Sequence, residues 1–408
     1  MWGRPFISHS SGSHGQGRAN KKRLLSDAFC PKIIAFLRQK VKATIHSHAI
    51  LMVIIFDLSS MKKTIFFCLA TGLLFLGFGC VTSSFERFEE EQVPTASISS
   101  TDHDLPNDTY LTFVINVHDW VYPEQSIATV HRILDLHEQY DIPVDIYLDD
   151  PLVQIYVQDA PELIERLKTS PVVAVSYHVR PPAPYYSFDF VGLDEMNQNE
   201  LMDLLTRYEF SRLDLETGEP TDEPGGYAYL KELMGYAPYA VGGTAVNIRV
   251  AKALAGVYAD MGALFCVMHG RVFEWRDEYE DLWMRPEDVE VKVYEQKMYA
   301  SSAKMIEQAL QGLPSGRPTF VNLKWHEDNF YTSGTPWGPV FWENPEEKTG
   351  ELMPPFDLSK AGEGVPIKTE EQQAEQWRRY EEALQYAQAH QETLTAVNMR
   401  FLASYLSE

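Results

Sequence analysis

Cysteine is scarce in this chain, and its positions exclude two common kinds of site. The sequence of 408 residues contains four cysteines, at positions 30, 68, 80 and 266. Three of them precede residue 81, and Cys266 stands alone in the apolar run ALFCVM. The rest of the chain therefore offers neither a disulfide framework nor a cysteine metal site, and we expect Cys266 to be a core thiol.

Positive charge is also scarce once the first 80 residues are set aside. The whole chain has 35 basic residues (Lys or Arg) and 58 acidic residues (Asp or Glu). Residues 1 to 80 contain eleven of the basic residues and two of the acidic ones. The rest of the chain therefore has 24 basic and 56 acidic residues, a net charge near −32. Such acidity argues against nucleic acid and anionic lipid surfaces as partners.

The glycine pairs in PGGYAY and VGGTA lack the spacing of a phosphate-binding loop, so we expect turns there.

The first 80 residues have the features of a leader. Residues 61–80, MKKTIFFCLATGLLFLGFGC, combine a basic start, an apolar stretch and a final cysteine after small residues, as bacterial secretory signals do. The end LGFGC is similar to a lipobox, which predicts lipidation of Cys80 and a place in the bacterial cell envelope, lipid-anchored or secreted. A simple membrane anchor helix is the alternative, although the run is short for a span. We interpret residues 1–60 as an upstream segment translated by mistake.

From residue 81 onwards the sequence predicts a tether and then a domain. Residues 81–109 are polar and acidic with Pro and Ser, which is typical of a flexible tether. From residue 110, apolar runs such as YLTFVINV and VVAVSYHV alternate with segments of helical periodicity such as SIATVHRILDLHEQY. This alternation indicates parallel βα units in a sheet covered on both faces. It predicts an α/β domain over residues 110–345, most simply a (β/α) barrel, with a doubly wound open sheet as the alternative.

Residues 346–408 are predicted to be a linker and C-terminal helices. The stretch from TEEQQ to ASYL has almost no helix breaker, and it begins with a capping-box pattern from Thr369 to Gln372. We expect one or two long helices that pack on the barrel and have no function of their own.

Histidines follow four of the predicted strands: His118 in INVHDW, His178 in VSYHV, His269 in CVMHG and His326 in NLKWHED. One such histidine is more often structural, but four predict a shared site because functional side chains gather at the carboxyl ends of parallel strands. Histidine and aspartate bind divalent metals such as zinc, and a catalytic site leaves one position open. The pattern favours hydrolysis of an amide or ester, with the remaining histidines as base and acid.

Three other features could serve the site. Arg180 and Tyr185 in RPPAPYY could contact a sugar, with a rigid turn as the alternative. Trp337 in the loop TSGTPWGPVFW could be part of an exposed platform that stacks on sugar rings, with a packed lid as the alternative. Asp149 and Asp150 in YLDD are expected to cap the following helix rather than bind metal.

The order of these motifs resembles the polysaccharide deacetylase family, whose fold is an irregular βα barrel. That family's first strand ends in two aspartates, a base and a metal ligand; VHDW has His118 and Asp119 at these positions. Its second motif has two metal-binding histidines four residues apart; SYHVRPP supplies His178, and Pro182 stands at the second position. Its last motif is a strand that ends in leucine and a general-acid histidine, which LKWH matches with His326.

The resemblance implies a divergent member of the family with a divalent metal as cofactor. Asp119 and His178 would bind the metal with a third ligand from His269 or His326, and His118 would be the base. The predicted site residues are, for catalysis, His118, His326 and Arg180; for the metal, Asp119, His178 and His269; and for substrate, Tyr185, Trp337 and Glu327.

The leading hypothesis is a metal-dependent hydrolase of the polysaccharide deacetylase type that removes acyl groups from a glycan. One alternative is a non-catalytic glycan-binding envelope lipoprotein, in which the loop around Trp337 carries the affinity. Another is a glycoside hydrolase on a related barrel that uses carboxylates such as Asp119, Glu327 or Asp328. All three imply a glycan partner, no nucleic acid, and contact with a membrane only through an N-terminal lipid anchor.

Overall fold

A computed structural model of the protein describes residues 104–179, 191–242, 247–268, 271–293 and 301–406. The predicted leader, most of the tether, Cys80, Arg180, Tyr185 and His269 lie outside these ranges. Within them, no helix combines the length and the apolar character needed to cross a membrane.

A large, mostly parallel sheet forms the centre of the described domain. The strands are β1 (Thr109–Val117), β2 (Val144–Leu148), β3 (Val173–His178), β4 (Ser211–Leu213), β5 (Pro220–Pro224), β6 (Ala240–Gly242), β7 (Phe265–Val267), β8 (Glu278–Tyr279), β9 (Leu282–Met284), β10 (Val289–Lys292), β11 (Thr319–His326), β12 (Trp342–Asn344), β13 (Thr349–Glu351) and β14 (Leu394–Val397). The order in the main sheet is β10-β11-β1-β2-β3-β6-β7-β9-β8, and β14 also pairs with β1. Only the β8–β9 pair of this sheet is antiparallel among the described strands.

The predicted α/β fold with an irregular (β/α) barrel is confirmed, in a form that is not closed. Among the described residues the sheet begins at β10 and ends at β8, and these two edges do not pair with each other. Two hairpins, β4–β5 and β12–β13, stand apart from the main sheet as separate two-stranded sheets. The continuous apolar runs predicted a covered parallel sheet correctly, because strands buried on both faces need apolar residues at every position.

Helices alternate with the strands along the chain. They are α1 (Pro123–Tyr140), α2 (Asp150–Asp159), α3 (Pro161–Thr169), α4 (Gln198–Phe210), α5 (Gly226–Met234), α6 (Ile248–Asp260), α7 (Ser302–Leu310), α8 (Gly338–Phe341), α9 (Glu370–Ala389) and α10 (Met399–Ser404). As predicted, the side chain of Asp149 caps α2 by accepting a hydrogen bond from the backbone N–H of Leu152, at 3.3 Å. Cys266 is buried, also as predicted, and burial raises the pKa of its thiol to about 12.

The C-terminal segment contains one long helix and then a strand. The capping box at the start of α9 is confirmed, since the side chains of Thr369 and Gln372 each accept a hydrogen bond from the other's backbone N–H. After α9 the sequence LTAV forms β14, which runs parallel to β1 with Thr109 opposite Leu394. The sequence pattern does not predict β14, which adds to the sheet before the short helix α10.

Side chains along β1 alternate between two environments. Leu111, Phe113 and Ile115 belong to the main hydrophobic core together with residues of the helices, whereas Tyr110 and Val114 belong to a second apolar cluster. Successive residues of a strand point to opposite faces, so the face of Tyr110 and Val114 continues towards His118. The same alternation on β11 places His326 on this second face, because Asn116 is opposite His326 in the parallel register.

Buried charges on the second face are paired with one another. Nη2 of Arg285 lies 2.5 Å from Oε2 of Glu287 and 3.6 Å from Oε2 of Glu290. Oε2 of Glu290 also lies 4.0 Å from Nζ of Lys324, two residues before His326. Pairing of this kind offsets the large desolvation cost of buried ions. Lys324 therefore lies on the same face of β11 as His326 and is paired with Glu290.

His137 connects α1 to α9 and should make stability depend on pH. Its Nδ1 lies 2.7 Å from the carbonyl oxygen of Ile142, and its Nε2 lies 2.6 Å from the hydroxyl oxygen of Tyr380. A neutral imidazole that donates from Nδ1 and accepts at Nε2 satisfies both contacts. Burial lowers the pKa of His137 to about 4.

We expect the stability that His137 contributes to be present above pH 6.5 and to fall as the pH drops towards 4. Between these values the unfolded chain binds more protons than the folded one, so acidification favours unfolding by up to about 3 kcal/mol. Urea unfolding of the parent and of His137→Gln from pH 4 to 7 tests this, with the surface variant His131→Gln as the control. The His137→Gln variant should show the shallower pH dependence; identical slopes in all three proteins would contradict the prediction.

Candidate metal centre

His118 and His326 meet at the carboxyl ends of two neighbouring parallel strands. His118 directly follows β1, and His326 is the last residue of β11. Nε2 of His118 lies 2.9 Å from Nδ1 of His326, although the two residues are 208 positions apart. Nε2 of His326 lies 3.4 Å from the side-chain amide nitrogen of Asn116. The predicted convergence of strand-end histidines is therefore present for this pair.

Asp328 completes a group of three potential metal ligands. It lies in the short 3-10 helix Glu327–Phe330 that follows β11. His118, His326 and Asp328 each offer one ligand atom, and these atoms all lie within 4.8 Å of one another. Both carboxylate oxygens of Asp328 are buried without a hydrogen-bond partner, and so is Nδ1 of His118. A buried carboxylate without a donor is costly, and a cation would offset that cost.

The donor set and its spacing fit a divalent cation. Two histidines and one carboxylate, with one position left open, are a ligand set of catalytic zinc. With Zn–N bonds of about 2.0–2.1 Å, two nitrogens at tetrahedral positions lie about 3.3 Å apart. The two imidazole nitrogens are 2.9 Å apart, so a small movement would bring both to a common ion. These three residues could hold zinc or a similar ion.

Burial favours the neutral forms of the carboxyl groups around the site. Desolvation raises the pKa of Glu327 well above its ordinary value, and the charges of Asp328 and Asp119 add to the rise. Desolvation likewise raises the pKa of Asp328, and the charge of Asp119 adds to the rise, whereas the charges of Lys368 and Lys348 oppose it. Three carboxyl groups so close together are difficult to ionise without a nearby cation.

The two histidines are also held in their neutral forms. Burial lowers the pKa of His118 well below its ordinary value, and the nearby His178, Lys348 and Lys324 lower it further. Burial lowers the pKa of His326 in the same way, again with contributions from neighbouring positive charges. Neutral imidazole is the form that binds metal ions.

Glu327 and Asp119 hold the turn that follows β1. Oε1 of Glu327 accepts hydrogen bonds from the backbone N–H groups of His118, at 2.6 Å, and Asp119, at 2.5 Å. The side chain of Asp119 accepts from the N–H of Val121, at 2.9 Å, and from the hydroxyl of Tyr331, at 2.7 Å. Glu327 is fully buried and anchors the backbone of this turn, and the substrate contact predicted for it stays a prediction. The metal role that the resemblance implies for Asp119 stays a prediction.

His178 lies beside the three-residue group. It ends β3, and its Nδ1 lies 2.7 Å from the carbonyl oxygen of Val179. Its ring centroid is 5.2 Å from that of His118. The structure thus brings His178 to the site, but it is not in the group whose ligand atoms lie within 4.8 Å of one another among the described residues.

The aromatic loop after β11 is packed rather than exposed. Trp337 is 1% exposed and belongs to an apolar cluster with Phe341, Trp342 and Phe356. Its ring meets that of His118 edge to face, with centroids 5.3 Å apart. The expectation of an exposed sugar platform is therefore wrong for Trp337, and the packed alternative is what the structure shows. Composition could not decide this, because exposed and buried aromatic loops use the same residues.

Asp328 is a candidate metal ligand that the sequence patterns do not predict. They suggest it only as a carboxylate of a glycoside hydrolase, although it belongs to the same HED motif as His326. A carboxylate two residues beyond a strand-end histidine was the available signal. That signal is weak, since only the 3-10 turn after β11 brings Asp328 back towards His118.

Comparisons with known proteins found similar solved structures only. No family model matches the sequence, and no curated protein matches it. The allantoinase Puue aligns with a TM-score of 0.42 at 12% identity, over 76% of this chain and 94% of its own. A probable polysaccharide deacetylase from Pseudomonas aeruginosa aligns with a TM-score of 0.39 at 12% identity, over 73% and 90%.

The peptidoglycan deacetylase PdaC from Bacillus subtilis aligns with a TM-score of 0.32 at 11% identity, over 74% of this chain and 94% of its own. Polysaccharide deacetylases, the family that the sequence resembles, therefore recur among the similar structures. Similarity at this level decides nothing about activity, and the site assignment rests on the geometry of the chain itself.

Proposed function

We propose that this protein is a metal-dependent hydrolase of the polysaccharide deacetylase type, which removes acyl groups from a glycan. The observation that carries the proposal is the convergence of His118, His326 and Asp328 at the carboxyl ends of β1 and β11. Side chains in this position of a parallel α/β fold are where activity is usually found. Both carboxylate oxygens of Asp328 are buried without a hydrogen-bond donor, and a bound cation would give them a partner.

His118, His326 and Asp328 would hold the ion. When bound, a divalent ion supplies the Lewis acidity that amide or ester hydrolysis needs. The remaining histidine, His178, is suited to move a proton. The carbonyl oxygen of Val179 holds a proton on Nδ1, so that the neutral ring accepts at Nε2. This assignment exchanges the roles that the resemblance implies for His118 and His178.

Two other residues would prepare the site. Glu327 holds the backbone of His118 and Asp119 and so keeps the His118 ring near His326. Trp337 covers one side of the His118 ring and excludes water there. Excluding water strengthens electrostatic interactions with a developing charge.

The two alternatives are less well supported by the geometry. A glycoside hydrolase needs two carboxyl groups that flank one bond in a cleft. Asp119, Glu327 and Asp328 are all fully buried, and Asp119 and Glu327 accept hydrogen bonds from neighbouring residues. A glycan-binding protein that relies on Trp337 would need that side chain exposed, and it is buried.

Elemental analysis of the purified full chain tests the proposal. We expect about one zinc or similar ion per chain, as in other three-ligand catalytic sites. Acetate release from acetylated oligosaccharides should stop after treatment with a chelator and return when zinc is added. A protein that stays free of metal after refeeding, or one whose acetate release resists the chelator, would refute the metal mechanism.

A further inference from the structure

The segment immediately before α9 runs beside the turn that carries Asp328. Thr332 and Ile367 form an antiparallel bridge between the two segments. One residue further on, the backbone N–H of Lys368 donates a hydrogen bond to the carbonyl oxygen of Tyr331, at 2.7 Å. Backbone pairing therefore fixes this part of the C-terminal segment against the turn.

The side chain of Lys368 reaches further into the same turn. Its ammonium group donates a hydrogen bond to the carbonyl oxygen of Asn329, the residue after Asp328. That carbonyl belongs to the 3-10 helix Glu327–Phe330, and the last carbonyl groups of a helix need outside donors and favour a positive charge. Lys368 thus makes two hydrogen bonds to the turn, one from its backbone and one from its side chain.

The helix α9 packs against the same turn. Phe330 is fully buried, and its ring lies 4.1 Å from that of Trp377 and 5.2 Å from that of Tyr380, centroid to centroid. The side-chain amide of Gln373, in the first turns of α9, donates to the carbonyl oxygen of Lys368 at 2.9 Å. Lys368 is therefore held between the helix and the turn.

The carboxylate of Asp328 depends on this turn for its position. Among the described residues, neither of its oxygens accepts a hydrogen bond, so no neighbouring donor orients it. Its backbone carbonyl oxygen accepts from the N–H of Thr332, at 2.7 Å, within the turn itself. The direction of the carboxylate is thus set by the backbone that Lys368 holds.

We propose that Lys368 is a positioning residue of the metal centre, which keeps the carboxylate of Asp328 directed at the ion by holding the carbonyl oxygen of Asn329. The inference rests on the proposed function and gives the C-terminal segment a part in it. The ammonium charge also repels a cation, but Lys368 is partly exposed, and exposed charges interact weakly. Residues that orient metal ligands change metal affinity by about 10–100-fold. Positioning should therefore outweigh the repulsion.

Variants of the full chain test the inference, with zinc as the probe. Lys368→Met removes the side-chain hydrogen bond and should weaken zinc binding about ten-fold, measured by competition with a chromogenic chelator. Lys368→Arg keeps a cationic donor and should restore most of the affinity. The control Lys304→Met removes a lysine from an exposed position on α7 and should behave as the parent.

Urea unfolding with and without zinc separates positioning from a purely structural role. At saturating zinc, a ten-fold weaker site loses about 1.4 kcal/mol of the stability that zinc adds. Lys368→Met that loses the same stability with and without zinc, and keeps the parent's dissociation constant, would overturn the inference and leave the hydrolase intact. Tighter zinc binding in Lys368→Met would overturn it as well, because repulsion would then be the larger effect. A parent that binds no zinc would refute the proposed function and the inference together.

Discussion

Replacement of Asp328 by asparagine is expected to remove both the bound metal and the release of acetate. Asparagine keeps the size of the side chain but has no negative charge. The two histidines bind as neutral groups, so the site would then have no negative ligand to balance the charge of the ion. Changes in residues that only support metal ligands already lower metal affinity by about 10–100-fold, so loss of a ligand should lower it by more than about 100-fold. Competition with a chromogenic chelator measures the affinity, and His326→Ala should behave in the same way.

Two variants make this prediction specific to the three-residue group. His131→Ala removes a partly exposed histidine of α1 and should retain the metal, which controls for nonspecific binding to histidine. Asp119→Asn separates the observed group from the ligand set that the family resemblance implies. Metal that is lost in Asp119→Asn and retained in Asp328→Asn would show that the family arrangement holds and that the group described here is wrong.

Replacement of Glu327 by alanine is expected to destabilise the protein by about 3 kcal/mol or more. The substitution leaves two buried backbone N–H groups, those of His118 and Asp119, without their acceptor. Each unsatisfied buried donor costs about 1–3 kcal/mol, and the lost side chain also leaves a cavity. The turn after β1 should loosen as well, so metal affinity should fall together with the free energy of unfolding.

Glu327→Gln is the matched control for this experiment. Glutamine has the same length and keeps a carbonyl oxygen that can accept both hydrogen bonds, so its free energy of unfolding should stay within about 1 kcal/mol of the parent. Urea unfolding at a fixed pH gives the values for both variants. Equal stability of the alanine and glutamine variants would show that the two hydrogen bonds do not stabilise the turn.

Local patterns in the sequence were sufficient for several elements. The apolar run before His118 predicted β1, the sequence around Thr369 predicted the start of α9, and Asp149 was expected to cap a helix. Each of these features depends on residues within a few positions of each other, so the local sequence is enough to predict it. The strand β14 was not predicted, because LTAV is short and becomes a strand only by pairing with β1.

The sequence by itself determined the α/β class, the strand ends that carry His118, His178 and His326, and the acidity of the chain after residue 80. Only the tertiary structure decided that His118 and His326 are 2.9 Å apart, that Asp328 joins them, and that Trp337 is buried. Strand order depends on which distant surfaces bury each other, and this information is spread over the whole core. Burial of a loop depends on what packs against it, which no local pattern contains.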